Sequence, residues 1–197
     1  MVELTEVIKM ANGLANKSNV ISLRIDHDVV DALKEQAKVD RMSLNVLANN
    51  ILQNYVDWER DAKKAGFLPI TRDMLSSILL KVADEDIEEI VQNTKDIIKA
   101  QIIYMEKQYE LRSFLHWLRN RCRASGFSAK EFYQNDVLIC IIQHELGWKW
   151  SVYCKALIKT VLDDLAKGKV DFDISSSMLI FRITVDQQTK QSALEIM

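Results

Sequence analysis

Asn19-Val-Ile-Ser-Leu-Arg-Ile-Asp26 constrains this chain most, because its alternation suits only one kind of backbone. Ile21, Leu23 and Ile25 fall on one face, and Val20, Ser22 and Arg24 on the other. A period of two with β-branched residues predicts a strand. Asp26 or Asp28 then offers an N-cap, and the apolar positions change to helical spacing at Val30, Leu33 and Ala37. Asp40-Arg41-Met42 interrupts that spacing. Ser43 is a second N-cap, followed by Leu44, Leu47, Ala48, Ile51, Leu52, Tyr55 and Val56 on one helical stripe. A strand and two helices in about 40 residues cannot bury their own apolar faces. A solitary strand also leaves its backbone donors and acceptors unpaired. Two copies that pair strand to strand and interlock their helices satisfy both needs, so the sequence predicts an obligate dimer.

Ile21-Ser-Leu-Arg-Ile25, Val29-Val-Asp-Ala-Leu33, Ser43-Leu-Asn45 and the apolar positions over 51–56 resemble the ribbon-helix-helix family of DNA-binding repressors. The run is similar to the Arc-like members without a gap, over roughly 40 of the 197 residues. The resemblance implies an antiparallel ribbon built from two protomers that enters the major groove, which admits a two-stranded ribbon. The base-contacting residues would be Val20, Ser22 and Arg24. Arg24 is suited to guanine through two hydrogen bonds, and Ser22 accepts or donates. Val20 departs from the polar residue often found there and offers only apolar contact, for instance with a thymine methyl. At the start of the second helix, Ser43 and Asn45 would hold phosphate through backbone N–H groups. The implied partners are double-stranded DNA and a second copy of the chain, as a homodimer or higher oligomer. The implied role is sequence-specific transcriptional regulation, most simply repression.

Two other readings fit the same pattern. One is an ordinary βαα segment inside a larger core, against which stand the outward Arg24 and the lack of a nearby partner strand. The other keeps the fold but makes it an antitoxin-like interaction module, in which the ribbon serves mainly for dimerisation. Charge bears on this choice. Residues 19–65 hold seven Lys or Arg against eight Asp or Glu. Phosphate affinity grows with the number of phosphates neutralised. Non-specific affinity should therefore be weak, and a specific complex would depend on Arg24, helix termini and two dimers side by side.

The remaining chain divides by punctuation. Residues 1–18, with Asn12-Gly13 and only Lys9 and Lys17 as cations, read as a flexible arm. The second helix runs on to a stop at Gly66. Phe67-Leu-Pro-Ile70 holds the single proline and marks the expected seam. Thr71 caps a helix carrying Met74, Leu75, Ile78, Leu79 and Val82. Asp84 caps another, carrying Ile87, Ile90, Val91, Ile97, Ile98 and Ile102. A third helix over 108–125 turns Leu111, Phe114, Leu115, Leu118 and Cys122 inward and Arg112, Arg119, Arg121 and Arg123 outward. That basic face reads as solvated, with a secondary anion or DNA-backbone contact as the alternative. Residues 131–134 and 137–143 form a hairpin across Asn135-Asp136. The run Val137-Leu-Ile-Cys-Ile-Ile142 suggests a central strand covered on both faces. A helix over 150–167 and a second hairpin, 170–174 with 178–185, complete an αββαββ order with a four-stranded antiparallel sheet. Thus the expected fold class is α+β. A ribbon-helix-helix unit over 19–66 precedes a helical connector and an assembly or sensor domain over 71–186, and a tail covers 187–197.

Chemistry is sparsely signalled. His27, His116 and His144 show no metal-ligand spacing, and Cys122, Cys140 and Cys154 no CxxC. Nickel-responsive ribbon-helix-helix regulators cluster histidines in their C-terminal domain, and this chain does not. Cys140 reads as a small core residue. Gln143-His-Glu-Leu-Gly-Trp-Lys-Trp-Ser-Val-Tyr-Cys154 is aromatic enough to line a pocket but reads first as core and subunit interface, which leaves an effector or protein partner open at this domain. With no phosphate loop or nucleophile elbow, no catalytic residue, metal or cofactor is expected, and the chain is read as no enzyme. A net charge of −2 argues against a general nucleic-acid or membrane coat. The odd, sparse cysteines and the lack of any apolar run of ~18 residues suit a cytoplasmic protein.

Overall fold

The computed structural model describes residues 20–166 and 168–184. The arm expected over 1–18 and the tail over 187–197 lie outside the described residues. The chain forms two compact units, one ending at Asn50 and the other beginning at Ile51. The division falls inside a helix, whereas the sequence places the seam at Phe67–Ile70. The reason is aromatic packing within the second unit: Phe67 lies 4.8 Å from Trp58 and 6.4 Å from Trp117, ring centre to ring centre.

In the first unit, residues 20–26 join neither a helix nor a sheet of their own chain. Helix α1 (His27–Val39) starts from Asp26, whose extended backbone makes it the N-cap. Arg41 ends the helix in the left-handed region at φ 54°, and the Met42 N–H returns to the Ala37 carbonyl at 2.9 Å. An arginine held there costs on the order of 1–2 kcal/mol. Helix α2 (Leu44–Asn54) follows, with the Ser43 hydroxyl accepting the Val46 N–H at 3.2 Å.

Beyond Asn54 the helix continues as a π-helical turn, Tyr55–Glu59, which the sequence pattern did not foretell, and a last turn, Arg60–Ala62. Trp58, on the π turn, is buried. Gly66 at φ 91° stops the run, and the Phe67 N–H bonds the Ala62 carbonyl. Helix α3 (Arg72–Lys81) is capped by Thr71 through the Met74 N–H at 3.4 Å, yet buries no residue. Helix α4 (Asp84–Glu106) has Ala83 as its N-cap, one residue before the Asp84 expected. Asp84, Glu85 and Asp86 instead fill its first turn, where the helix dipole favours them. Its stripe Ile87, Val91, Ile98 and Ile102 is buried, as are Phe114, Leu115, Trp117 and Cys122 of α5 (Leu111–Ala124).

Strands β1 (Ser128–Gln134) and β2 (Val137–Gln143) form the first hairpin, closed by Asn135 at φ 55°. Helix α6 (Trp148–Leu165) leads to β3 (Val170–Ile174) and β4 (Met178–Thr184). The sheet is antiparallel throughout, in the order β1-β2-β4-β3, so β2 and β4 are central. Register pairs Leu138 with Ile183, Cys140 with Phe181 and Ile142 with Leu179. All six join the buried core that α4, α5 and α6 complete. Ile139 alternates to the reverse face and is 8% exposed. Gly168 admits no side chain: a Cβ there would lie 2.3 Å from the Thr184 carbonyl oxygen, where β3 begins beside the end of β4.

Candidate nucleic-acid interface

The residues assigned to DNA contact all lie in the first unit, and each is exposed. Val20 is 98% accessible, and Ser22, Arg24, Ser43 and Asn45 are open to solvent. The alternate residues of the same stretch are exposed too: Ile21 is 66%, Leu23 63% and Ile25 45% exposed. Fully burying such a side chain is worth roughly 1.5–3 kcal/mol.

The local charges separate into two groups. On α1, Lys34 pairs with Asp31 at 3.1 Å and Lys38 with Glu35 at 2.5 Å, while Gln36 donates to Asp40 at 2.8 Å. Arg24 and Arg41 make no ion pair or hydrogen bond through their side chains among the described residues. Arg41 was not singled out from sequence, where it reads as part of a helix break. Its position two residues before the Ser43 cap is the signal that would have found it. The first turn of α2 carries no acidic residue, as is true of α5 and α6, whereas those of α1, α3 and α4 do. A helix start without carboxylates leaves its dipole and free N–H groups to an external anion.

The basic face expected on α5 is divided in use. Arg119 makes a two-pronged pair with Glu131 of β1, at 2.7 and 3.3 Å. Arg121 lies over the rings of Trp117 and Phe67, at 5.2 and 5.7 Å from their centres. Arg112 and Arg123 remain exposed.

His144 is buried, and both its ring nitrogens are engaged. Nδ1 accepts the Leu146 N–H at 3.0 Å, which leaves the proton on Nε2 facing the Ser151 hydroxyl at 2.8 Å. Ser151 in turn donates to the Ser175 carbonyl. Burial lowers the His144 pKa and keeps the ring neutral. Burial pushes the Cys122 thiol up to about 11 and the Cys154 thiol to about 12, and raises Cys140 well above its ordinary value. All three are therefore neutral thiols near pH 7. No group of three or more His, Cys, Asp or Glu among the described residues is placed to hold a metal ion. The aromatic segment after β2 does more than fill core, because Trp150 and Tyr153 line a cavity. Trp148 stays 51% exposed.

No protein-family model matches the chain, and no curated protein matches it. No helix among the described residues is long and apolar enough to cross a membrane.

Proposed function

We propose that the chain is a sequence-specific DNA-binding regulator, a repressor in its simplest form, acting as a dimer or higher oligomer. Two copies pair along residues 20–25 into a ribbon that enters the major groove. The observation that carries this reading is the stretch itself: outside any helix or sheet of its own chain, it leaves Ile21, Leu23 and Ile25 exposed together with Arg24. Pairing two such edges satisfies both backbones and covers the apolar side chains. The polar side then faces the bases, with Arg24 as the main reader and Ser22 and Val20 beside it. Ser43, Asn45 and Arg41 clamp the phosphates flanking the groove.

The test is selection of bound duplexes from a random DNA pool, followed by gel-shift titration of the winner. The Arg24→Ala variant should lose about 1–3 kcal/mol of discrimination for its base pair and remain dimeric by sedimentation. A pool that yields no preferred sequence, or unchanged specific affinity for the variant, overturns the proposal.

Helix α3 favours a second reading, an antitoxin-like module that binds another protein. Its Met74, Ile78 and Leu80 are 58%, 47% and 72% exposed, and none of its residues is buried. A partner co-purifying in fixed stoichiometry, together with a failed DNA selection, would decide for that reading.

A further inference from the structure

Helix α3 is attached to the second unit differently from its neighbours. Helices α4, α5 and α6 each bury several residues, and α3 buries none. Leu75, Ser76 and Leu79 are half-buried, and the rest of the helix is exposed. Extended residues flank it, Thr71 before and Val82 and Ala83 after, so the backbone can turn there without unwinding α4. Polar contacts hold its two ends. At the start, the Arg72 guanidinium donates to the Gly126 carbonyl at 2.7 Å, lies 5.7 Å from the centre of the Phe127 ring and stands 3.8 Å from the Glu145 carboxylate. At the end, the Lys149 ammonium of α6 donates to the Val82 carbonyl and, at 3.4 Å, to that of Leu80, with the Asp84 carboxylate 3.6 Å away. A cation in a first helical turn opposes the dipole, so Arg72 serves the clamp and not its own helix. A segment with few buried apolar contacts opens at low cost.

We propose that α3 is a strap, which opens as one piece while α4, α5, α6 and the sheet stay folded, and that the Arg72 and Lys149 clamps set how often it opens. Opening uncovers Leu75 and Leu79 and lifts Arg72 from Phe127. The second unit thereby has a closed and an open surface. This inference concerns the second unit alone and is independent of the DNA-binding proposal.

The experiment is native-state hydrogen exchange of the full chain, read by mass spectrometry on peptides from α3, α4, β2 and β4 at several urea concentrations below the unfolding transition. In the unaltered protein, α3 amides should exchange at least roughly a hundred-fold faster than those of α4 and β2. Their opening should also depend less steeply on urea, because less surface is exposed. Arg72→Gln and Lys149→Met should each speed α3 exchange roughly ten-fold and leave β2 and β4 unchanged. Ten-fold is the low end for a charge-assisted hydrogen bond, as suits clamps that are partly exposed. Removing a first-turn cation steadies an isolated helix, so simple fraying predicts the opposite sign for Arg72→Gln. Circular dichroism of each variant distinguishes a loosened strap from a lost fold, and the urea series on the unaltered protein depends on neither variant. Protection and urea dependence of α3 equal to those of α4 and β2, or α3 exchange that neither variant speeds, overturns the proposal.

Discussion

In the first unit, Ala37 and Leu47 are the buried apolar residues among those described, while Ile21, Leu23, Ile25, Val29, Val39 and Val46 stand exposed. In the second, Ile102, Leu162, Leu179 and Phe181 have no accessible surface at all, and strands pair with strands of the same chain. The second unit pairs its strands with one another and builds its core internally; the first leaves an apolar stretch outside any helix or sheet. A chain that can build a dense core over α4 to β4 has no general shortage of apolar material. The exposed apolar stretch over residues 20–25 thus belongs to the first unit, and the proposed ribbon would cover it with a second copy.

The harshest way to break this contrast is to empty the second core. Phe181→Ala should cost about 3–5 kcal/mol, read as a lower urea midpoint followed by tryptophan fluorescence, since Trp58, Trp117, Trp148 and Trp150 all lie in that unit. A shift too small to measure would mean the core is looser than its packing implies. A smaller and more selective change is Leu23→Ser. In a lone chain a substitution this exposed moves stability by no more than about 0.5 kcal/mol. In a paired ribbon it should cost about 1.5–3 kcal/mol per copy, seen as a weaker dimer in sedimentation equilibrium. An unchanged dissociation constant would remove the ribbon from the dimer interface.

The smallest effect separates two histidines of the second unit. His116 bonds Glu106 through Nδ1 at 2.7 Å, and that bond raises its pKa against a partial desolvation penalty. Its stabilising contribution is complete below the unfolded value of about 6.5 and is lost as pH rises through the higher folded value. His144 runs the other way, because burial lowers its folded pKa. Its environment costs nothing above about pH 6.5, and stability falls as the medium is acidified below that. Thermal melts across pH 5–9 should therefore lose stability on both flanks. His116→Gln should flatten the alkaline flank and spare the acid one. An alkaline flank that persists in the variant would assign it to another group.

Sequence periodicity located much of the architecture. The caps at Ser43 and Thr71, the Asn135-Asp136 hairpin and the αββαββ order follow from local rules that need no knowledge of distant contacts. What escaped was set by tertiary packing. The π turn at Tyr55–Glu59 accompanies burial of Trp58, and no local spacing announces it. The compact units divide at Asn50 and Ile51 and not near the proline, because Phe67, two residues before it, packs on Trp58 and Trp117. Trp117 was passed over because its neighbours Arg119 and Arg121 read as a solvated stretch, yet it is 1% exposed and lines the cavity. Of the proposed DNA contacts, Arg24 and Ser43 were readable from alternation and capping. Arg41 was not, since a cation in a turn has no periodic signature.

Between residue 168 and the Thr184 oxygen there is room for a hydrogen atom and nothing larger. A saturation library at this codon should return glycine alone, even though the position is solvent-facing and looks permissive. Any descendant of this gene that drifts here must first widen the spacing of its last hairpin, so the codon acts as a one-letter gatekeeper for half of the sheet.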